Sequence, residues 1–222
     1  AVLHGYPALL GAKARLIAAT AGDLELIVLD APELFDRPGG PYAGADGRDH
    51  ADNWRRFAAL SRAGADLAAG IAPAFRPDLV QAHDWQAAMA AAYMRYAGLR
   101  MPSVVTIHNL AFQGHFPAAV FGALELPAEA FSLDGVEYYG GVGFLKAGLQ
   151  SAWAITTVSP TYAAEIMTPA YGMGLDGLIA QRAGTLWGIV NGIDTRVWNP
   201  ETDPHLVAPF SARSPKGRAV NR

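Results

Sequence analysis

The chain has 222 residues, of which 51% are hydrophobic, enough to bury a sizeable core as one large domain or two small ones. A formal net charge of −3, without any block of like charges, argues against nucleic-acid binding, which requires a basic surface to neutralise phosphates. The absence of cysteine excludes disulfides and thiolate metal sites and fits a cytoplasmic location, and no apolar run approaches the roughly 18–20 residues that cross a membrane.

The N-terminal part predicts strands, a loop and a helix. Residues 1–7 resemble the middle of a strand that leaves into a Gly-Tyr-Pro turn, and Leu24–Leu29 has the length of a buried strand. A Gly- and Pro-rich loop over 36–47 follows. Asp49 and Asp52 then open a helix that runs to Gly70, with a buried side formed by Trp54, Phe57, Leu60, Leu67 and Ile71.

The rest of the chain alternates between strands and helices. Asp84 is placed to cap a helix from Trp85 to about Ala97, whose apolar residues fall on one helical face: Trp85, Met89, Ala92, Tyr93 and Tyr96. A loop over 109–117 precedes a short helical stretch to about Leu126, a helix follows over 144–153, and Ser159-Pro160 is a typical helix start. This alternation predicts an α/β fold with a doubly wound parallel sheet.

Four apolar strand-like runs each end in polar residues. The runs and the residues that follow them are Asp78–Ala82 before His83-Asp84-Trp85, Ser103–Ile107 before His108-Asn109, Ala154–Val158 before Ser159-Pro160, and Leu186–Val190 before Asn191-Gly192-Ile193-Asp194. The carboxyl ends of parallel strands line one crevice, where ligands bind. We therefore expect Asp84, His108 and Asn191 at one sheet edge.

Three motifs that often mark enzyme sites are better interpreted as structural. Gly172-x-Gly174-x-x-Gly177 matches a dinucleotide fingerprint, but Thr-Pro precedes it where a strand is required. Ser159 follows a strand but lacks the G-x-S-x-G elbow of a nucleophile, so a helix cap is favoured. The six histidines show no close-spaced pair of the kind that binds zinc.

The segment 108–114 is harder to explain by packing alone. It places His108, Asn109 and Gln113 in a glycine-ended loop directly after an apolar strand. Such convergent hydrogen-bond donors and acceptors suit a polyhydroxyl ligand.

Seven collinear motifs resemble those of the bacterial glycogen synthases and plant starch synthases, glycosyltransferase family 5. The motifs cover almost the whole chain and occupy residues 30–42, 82–85, 106–114, 144–148, 157–162, 171–177 and 188–200. The resemblance implies the N-terminal half of a GT-B fold, in which two Rossmann-like domains face each other across a cleft.

The resemblance also implies an activity and its substrates. Members of the family transfer glucose from ADP-glucose, a donor substrate rather than a cofactor, to the non-reducing 4-hydroxyl of an α-1,4-glucan. Configuration is retained, and no metal is required. In such an enzyme the N-terminal domain mainly holds the glucan and part of the transferred glucose, and the C-terminal domain mainly holds the nucleotide.

The resemblance assigns roles to particular residues. His108 matches the active-site histidine beside the transferred glucose. Tyr42, Asp84 and Asn191 match polar contacts to sugar hydroxyls in the cleft, and Asn109 and Gln113 of the 108–114 loop are expected to bind substrate with them. We expect no nucleophilic carboxylate pair, unlike in glycoside hydrolases.

Two features of the family are absent from the sequence: the Lys-Thr-Gly-Gly loop that follows the first strand, and the nucleotide-binding C-terminal domain. The chain is therefore expected to be a single incomplete domain over 1–222, inactive alone because the stabilisation of the leaving group is missing. Two alternatives are a non-catalytic glucan-binding domain and another GT-B enzyme such as a sucrose synthase relative. Nucleotide preference and oligomeric state are not determined by the sequence.

Overall fold

The computed structural model describes residues 1–222 and separates into two compact units, Ala1–Ile189 and Val190–Arg222. The first unit contains all ten strands and six of the seven helices. No helix combines the length and apolar character needed to cross a membrane.

The chain opens with a three-stranded antiparallel sheet made of β1 (Val2–Leu9), β2 (Ala12–Ala21) and β3 (Leu24–Asp30). The predicted Gly-Tyr-Pro turn is wrong, because these residues lie inside β1 and the chain turns at Leu10-Gly11, where both residues have positive φ. The predicted strand at Leu24 exists, but it is not buried. It forms an edge of the sheet, and Leu24 is 66% exposed.

The remaining elements follow in chain order: α1 (Pro32–Phe35), α2 (Asn53–Ala68), β4 (Val80–His83), α3 (Asp84–Tyr96), β5 (Ser103–Ile107), β6 (His115–Pro117), β7 (Glu137–Tyr138), β8 (Gly141–Gly143), α4 (Phe144–Ser151), β9 (Ala154–Thr157), α5 (Pro160–Glu165), α6 (Asp176–Gln181), β10 (Leu186–Gly188) and α7 (Gly217–Val220).

The four strand-like runs singled out in the sequence form one parallel sheet, in the order β10-β9-β5-β4. Their alignment places His83 opposite Thr106 and Ile107 opposite Thr157, so the carboxyl ends lie side by side. The predicted α/β class is confirmed. A small antiparallel sheet, β6-β8-β7, was not predicted, and its first strand occupies the end of the predicted 109–117 loop. The helical stretch after it is a 3₁₀ turn over Ala118–Ala123.

Helix α3 is buried on most of its circumference because it packs between α2 and α4. The predicted face is buried except for Tyr96, which is half-buried, and Ala88 and Met94 are buried as well. The prediction of the buried face of α2 is partly wrong, since Leu60 is 39% exposed whereas Arg56 is buried. Contacts among alanine-rich helices favour short interhelical distances, and these decide which residues are covered.

The start of α5 is as predicted. The Ser159 hydroxyl accepts a hydrogen bond from the Tyr162 N–H at 2.9 Å, and Pro160 is the first helical residue. This geometry satisfies one of the free N–H groups at the helix start. Ser159 is thus a helix cap and not a nucleophile.

Lys146, on α4, is structural in this fold. It is buried, and its ammonium donates to the backbone carbonyls of Leu133 and Gly135, the latter at 2.8 Å. Burial lowers the pKa of Lys146. The carbonyls compensate in part for the lost hydration of the ammonium and fasten the turn before β7 to α4.

The second unit, Val190–Arg222, consists of turns and the short α7. The Asp194 carboxylate accepts hydrogen bonds from the backbone N–H groups of Arg196 at 2.9 Å and Val197 at 3.3 Å. The Asn221 side chain bonds both the N–H and the carbonyl of Ala208, at 3.1 and 2.7 Å. These side-chain-to-backbone bonds replace the ladders of regular structure in this unit.

We expect Gly148→Ala to destabilise the fold, because a Cβ atom at Gly148 would lie 2.6 Å from the Ala88 Cβ in the contact between α4 and α3. Overpacking of this kind costs about 1–3 kcal/mol in the free energy of unfolding, measured by urea denaturation. Gly177→Ala in α6 is the matched control, since no atom lies within 4 Å of its Cβ position and the substitution should be neutral or stabilising. Equal destabilisation by both variants would contradict the close approach of the two helices.

Candidate active site at the carboxyl ends of the parallel strands

The end of β4 meets the residue that follows β5. The Asp84 carboxylate accepts a hydrogen bond from the backbone N–H of His108 at 2.8 Å, and His83 Nδ1 lies 2.9 Å from His108 Nε2. His83 and His108 are exposed, and Asp84 is half-buried. The structure therefore brings Asp84 and His108 together, as expected for neighbouring parallel strands. Their contact with a ligand stays a prediction.

The prediction that Asp84 caps α3 is wrong. His83 occupies the N-cap position, the helix has no side-chain cap, and the Asp84 carboxylate turns to His108 instead. Asp84 also has a φ of +51°, in the left-handed region that residues with a Cβ rarely adopt. Backbone strain of this kind costs on the order of 1–3 kcal/mol and is concentrated at functional sites.

The loop after His108 leaves polar groups available on two amides. Asn109 Oδ1 accepts from the Ala111 N–H at 3.0 Å, which occupies its oxygen and leaves its NH₂ free to donate. Gln113 Nε2 donates to the Met173 carbonyl at 3.1 Å, which leaves its oxygen free to accept. The Leu110 N–H donates to the Tyr162 hydroxyl at 3.0 Å and so anchors the loop between these residues. The loop thus presents a donor and an acceptor to a ligand.

A cleft of about 250 Å³ adjoins the 108–114 loop, and Trp85 forms part of its wall. Gly114 contacts the indole closely, since a Cβ at this position would lie 2.3 Å from a Trp85 ring carbon, and its φ is +62°. Glycine is therefore required there for both space and conformation. The lining combines aromatic and polar side chains: Asp49, His50, Asn53, Trp85, Phe112, Gln113, His115 and Phe116.

Tyr42 is held by its backbone and leaves its ring available. The Tyr42 carbonyl accepts hydrogen bonds from the His50 N–H at 3.0 Å and from Asn53 Nδ2 at 2.8 Å. Its ring lies 5.9 Å from that of Phe57, centroid to centroid, and Tyr42 is 47% exposed. Phe57 in turn packs edge-on against Trp85 at 4.8 Å. These rings connect the Tyr42 loop to the residue that follows Asp84.

Arg56 fixes the Tyr42 loop from inside α2. Its guanidinium is buried and donates to the carbonyls of Leu34 and Pro41, both at 2.8 Å, and to Asn53 Oδ1 at 2.7 Å. Burial, followed by the charge of Arg37, lowers the pKa of Arg56. The guanidinium is thus satisfied by carbonyl oxygens rather than by a carboxylate, and it ties the segments on both sides of the loop to one helix.

An ion pair between Arg37 and Asp52 closes the same loop. Arg37 donates to both carboxylate oxygens of Asp52, at 2.7 and 3.0 Å. This hydrogen-bonded pair lowers the pKa of Asp52 below its ordinary value. Asp52, predicted to help open α2, stands at its N-cap position but makes no side-chain cap, because its carboxylate is engaged by Arg37.

Asn191 belongs to the second unit, where it is exposed. The strand predicted to run to Val190 ends at Gly188. The expectation that Asn191 joins the sugar site therefore stays a prediction.

The alternative sites considered in the sequence are not supported by the structure. The segment 172–177 follows a turn and ends in the first residues of α6, so its glycines lack the preceding strand of a dinucleotide site. No group of three or more histidine, aspartate or glutamate side chains is arranged to hold a metal ion.

Sequence reasoning missed two kinds of residue at this site. The sequence shows His83 only as a strand end, although it immediately precedes Asp84 and the parallel partner of its strand is followed by His108. Arg56 and Asn53 gave no signal, because a buried arginine bound to carbonyls looks like any helix arginine in the sequence. Only the burial of Arg56, which is 3% exposed, reveals its role.

A parallel sheet with polar side chains at its carboxyl ends defines an α/β domain with a candidate ligand site at that edge. Residues 4–181 match the family model of the starch synthase catalytic domain. The chain belongs to this family, glycosyltransferase family 5.

Named relatives agree with this assignment. The chain is 63% identical over 221 residues to a glycogen synthase of Mesorhizobium japonicum, covering 99% of this chain and 46% of the relative. It is 58% identical over 217 residues to a glycogen synthase of Rhizobium tropici, covering 97% of this chain and 45% of the relative. The chain thus spans about half the length of the curated relatives it matches.

A solved structure supports the fold. The catalytic domain of starch synthase IV from Arabidopsis thaliana, bound to ADP and acarbose, superposes with a TM-score of 0.77 at 30% identity. The match covers 98% of this chain and 45% of the solved one.

We expect Arg56→Met to lower the free energy of unfolding by about 2–4 kcal/mol, because the carbonyls of Leu34 and Pro41 and the amide of Asn53 lose their buried donor. Urea denaturation followed by tryptophan fluorescence measures the change. Arg48→Met is the control, since Arg48 is exposed and its substitution should fall within about 0.5 kcal/mol of the parent. Similar values for the two variants would show that Arg56 does not hold the loop.

Proposed function

We propose that this chain forms the acceptor- and sugar-binding half of a retaining glucosyltransferase of glycogen biosynthesis. The enzyme would transfer glucose from ADP-glucose to the non-reducing end of an α-1,4-glucan in the cytoplasm, without a metal or a cofactor. The observation that carries the proposal is the contact between Asp84 and His108 at the carboxyl edge of the parallel sheet, in a chain of this family.

The geometry supports a division of roles at the sugar. Donation by the Asn109 NH₂ and acceptance by Gln113 Oε1 suit the hydroxyls of glucose, each of which both donates and accepts. His108 would stand beside the transferred sugar, and the bond from its backbone N–H to Asp84 supports this role by holding the main chain after β5. Tyr42 presents a half-exposed ring from a braced loop. Asn191 would contribute a further hydroxyl contact.

The chemistry requires charge stabilisation at two places. Glycosyl transfer with an oxocarbenium-like transition state develops positive charge on the sugar and negative charge on the departing diphosphate. Fixed dipoles and cations aimed at those charges lower the barrier. The strand-end residues include a carboxylate, imidazoles and amides but no lysine or arginine, so this cluster serves the sugar and leaves the diphosphate to groups outside it.

A transfer assay tests the proposal. The chain would replace the matching 221 residues of the Mesorhizobium japonicum relative, and incorporation of labelled glucose into glycogen would be measured with ADP-glucose and with UDP-glucose. We expect incorporation from ADP-glucose by the hybrid and none by the 222-residue chain alone. A hybrid that binds malto-oligosaccharide without transferring glucose would identify a binding domain. Transfer from UDP-glucose alone would indicate a different glycosyltransferase.

His108→Ala in that hybrid should lower kcat by at least ~10², the effect of losing one preorganised transition-state contact. His205→Ala is the control, since His205 is exposed in the second unit and should leave kcat unchanged. A near-normal kcat for His108→Ala would show that the histidine has only a structural role.

A further inference from the structure

His83 makes a contact that the proposed chemistry leaves unused. Its Nδ1 atom lies 2.9 Å from His108 Nε2, and the two rings are 5.2 Å apart with an angle of 31° between their planes. Two ring nitrogens at this distance share one hydrogen, with one acting as donor and the other as acceptor. The contact is therefore directional, and it couples the tautomer of His108 to that of His83.

We propose that His83 is a positioning residue: it accepts a hydrogen bond from His108 Nε2–H and so leaves His108 Nδ1 as an acceptor for a hydroxyl of the bound sugar. This inference rests on the proposed function for its ligand, a glucose unit. The contact itself is independent of that function and can be tested without any substrate.

Two consecutive residues hold His108 at two points, its ring and its backbone N–H. His83 and Asp84 are consecutive, and while His83 holds the far end of the His108 ring, Asp84 holds the His108 N–H at 2.8 Å. Rotation about either side-chain torsion of His108 would move Nε2 away from His83. The parallel pairing of β4 with β5, with His83 opposite Thr106, keeps the two segments at a fixed separation.

The direction of the shared hydrogen follows from the tautomers. A neutral histidine favours the hydrogen on Nε2. If His108 donates from Nε2, His83 accepts at Nδ1 and keeps its own hydrogen on Nε2, so both rings adopt the favoured form. The reverse direction would require the less favoured Nδ1–H form in both rings. The hydrogen bond at one ring nitrogen sets the state of the other, so His108 Nδ1 carries a lone pair.

Long-range ¹H–¹⁵N correlation spectra of the ¹⁵N-labelled 222-residue chain in mildly alkaline buffer test the inference. In the parent we expect one tautomer of His108, with a protonated Nε2 and an unprotonated Nδ1. His83→Ala should give averaged shifts for the two nitrogens of His108. His83→Asn should restore the single tautomer, because the asparagine oxygen stands near the position of Nδ1 and can accept the hydrogen bond.

Matched controls separate this effect from misfolding. His205→Ala removes a histidine of the second unit and should leave the His108 signals unchanged, and unaltered methyl spectra would show that each variant is folded. A protonated Nδ1 in the parent, or an unchanged His108 pattern in a folded His83→Ala variant, would overturn the inference.

The transfer assay supplies the second readout. In the hybrid, His83→Ala should lower kcat at least ~10-fold with a smaller change in KM, as expected for a misplaced reacting-site group, and His83→Asn should recover most of that loss. A released His108 ring with unchanged kcat would overturn the positioning role in catalysis. Absence of transfer in the unsubstituted hybrid would instead overturn the proposed function. The NMR measurement of the His108 tautomer would then still decide whether His83 positions the His108 ring.

Discussion

The parallel pairing of β4 with β5 is the constraint on which the rest of the site depends. Ala82 lies opposite Val105 and His83 opposite Thr106, so the residues that leave the two strands emerge side by side. The interior of the sheet is anchored by Val105, Ile107 and Ile155, all fully buried. Slippage of one strand would reverse the faces of these side chains, and the hydrophobic core therefore fixes the register of the polar residues beyond it.

Once the register of β4 and β5 is set, a few hydrogen bonds determine the geometry of the residues that follow the two strands. The Asp84 carboxylate and the His108 N–H form a bond across the two strand ends, and the strained φ of Asp84 is compatible with it. Asn109 and Gln113 each use half of an amide internally. Each amide keeps one polar group unused, a donor on Asn109 and an acceptor on Gln113, and this combination suits a polyhydroxyl ligand.

The support for Tyr42 comes from a different part of the fold. Its loop has little regular structure, and helix α2 supplies the missing order through Asn53 and Arg56, whose side chains bond backbone carbonyls. A charged group buried against carbonyls is costly when its partners are lost, so the loop and the helix are stable only together. The edge-on packing of Phe57 against Trp85 extends this support to the strand-end cluster. The cation in this network braces the site and takes no part in the proposed chemistry.

The sequence by itself determined the parallel sheet, the Ser159 cap and the family. Apolar periodicity and short motifs are local signals, so they can be recognised without knowing which segments of the chain contact each other. It also placed Asp84 and His108 at one edge, since parallel strands admit no other arrangement of their ends. It did not distinguish the exposed edge strand β3 from a buried one, and it assigned Asp84 to a helix cap, because burial and hydrogen-bond partners depend on neighbours distant in the chain. The bond of His83 to His108 and the burial of Arg56 were decided only by tertiary structure, which brings together side chains 25 residues apart and closes a loop over a helix.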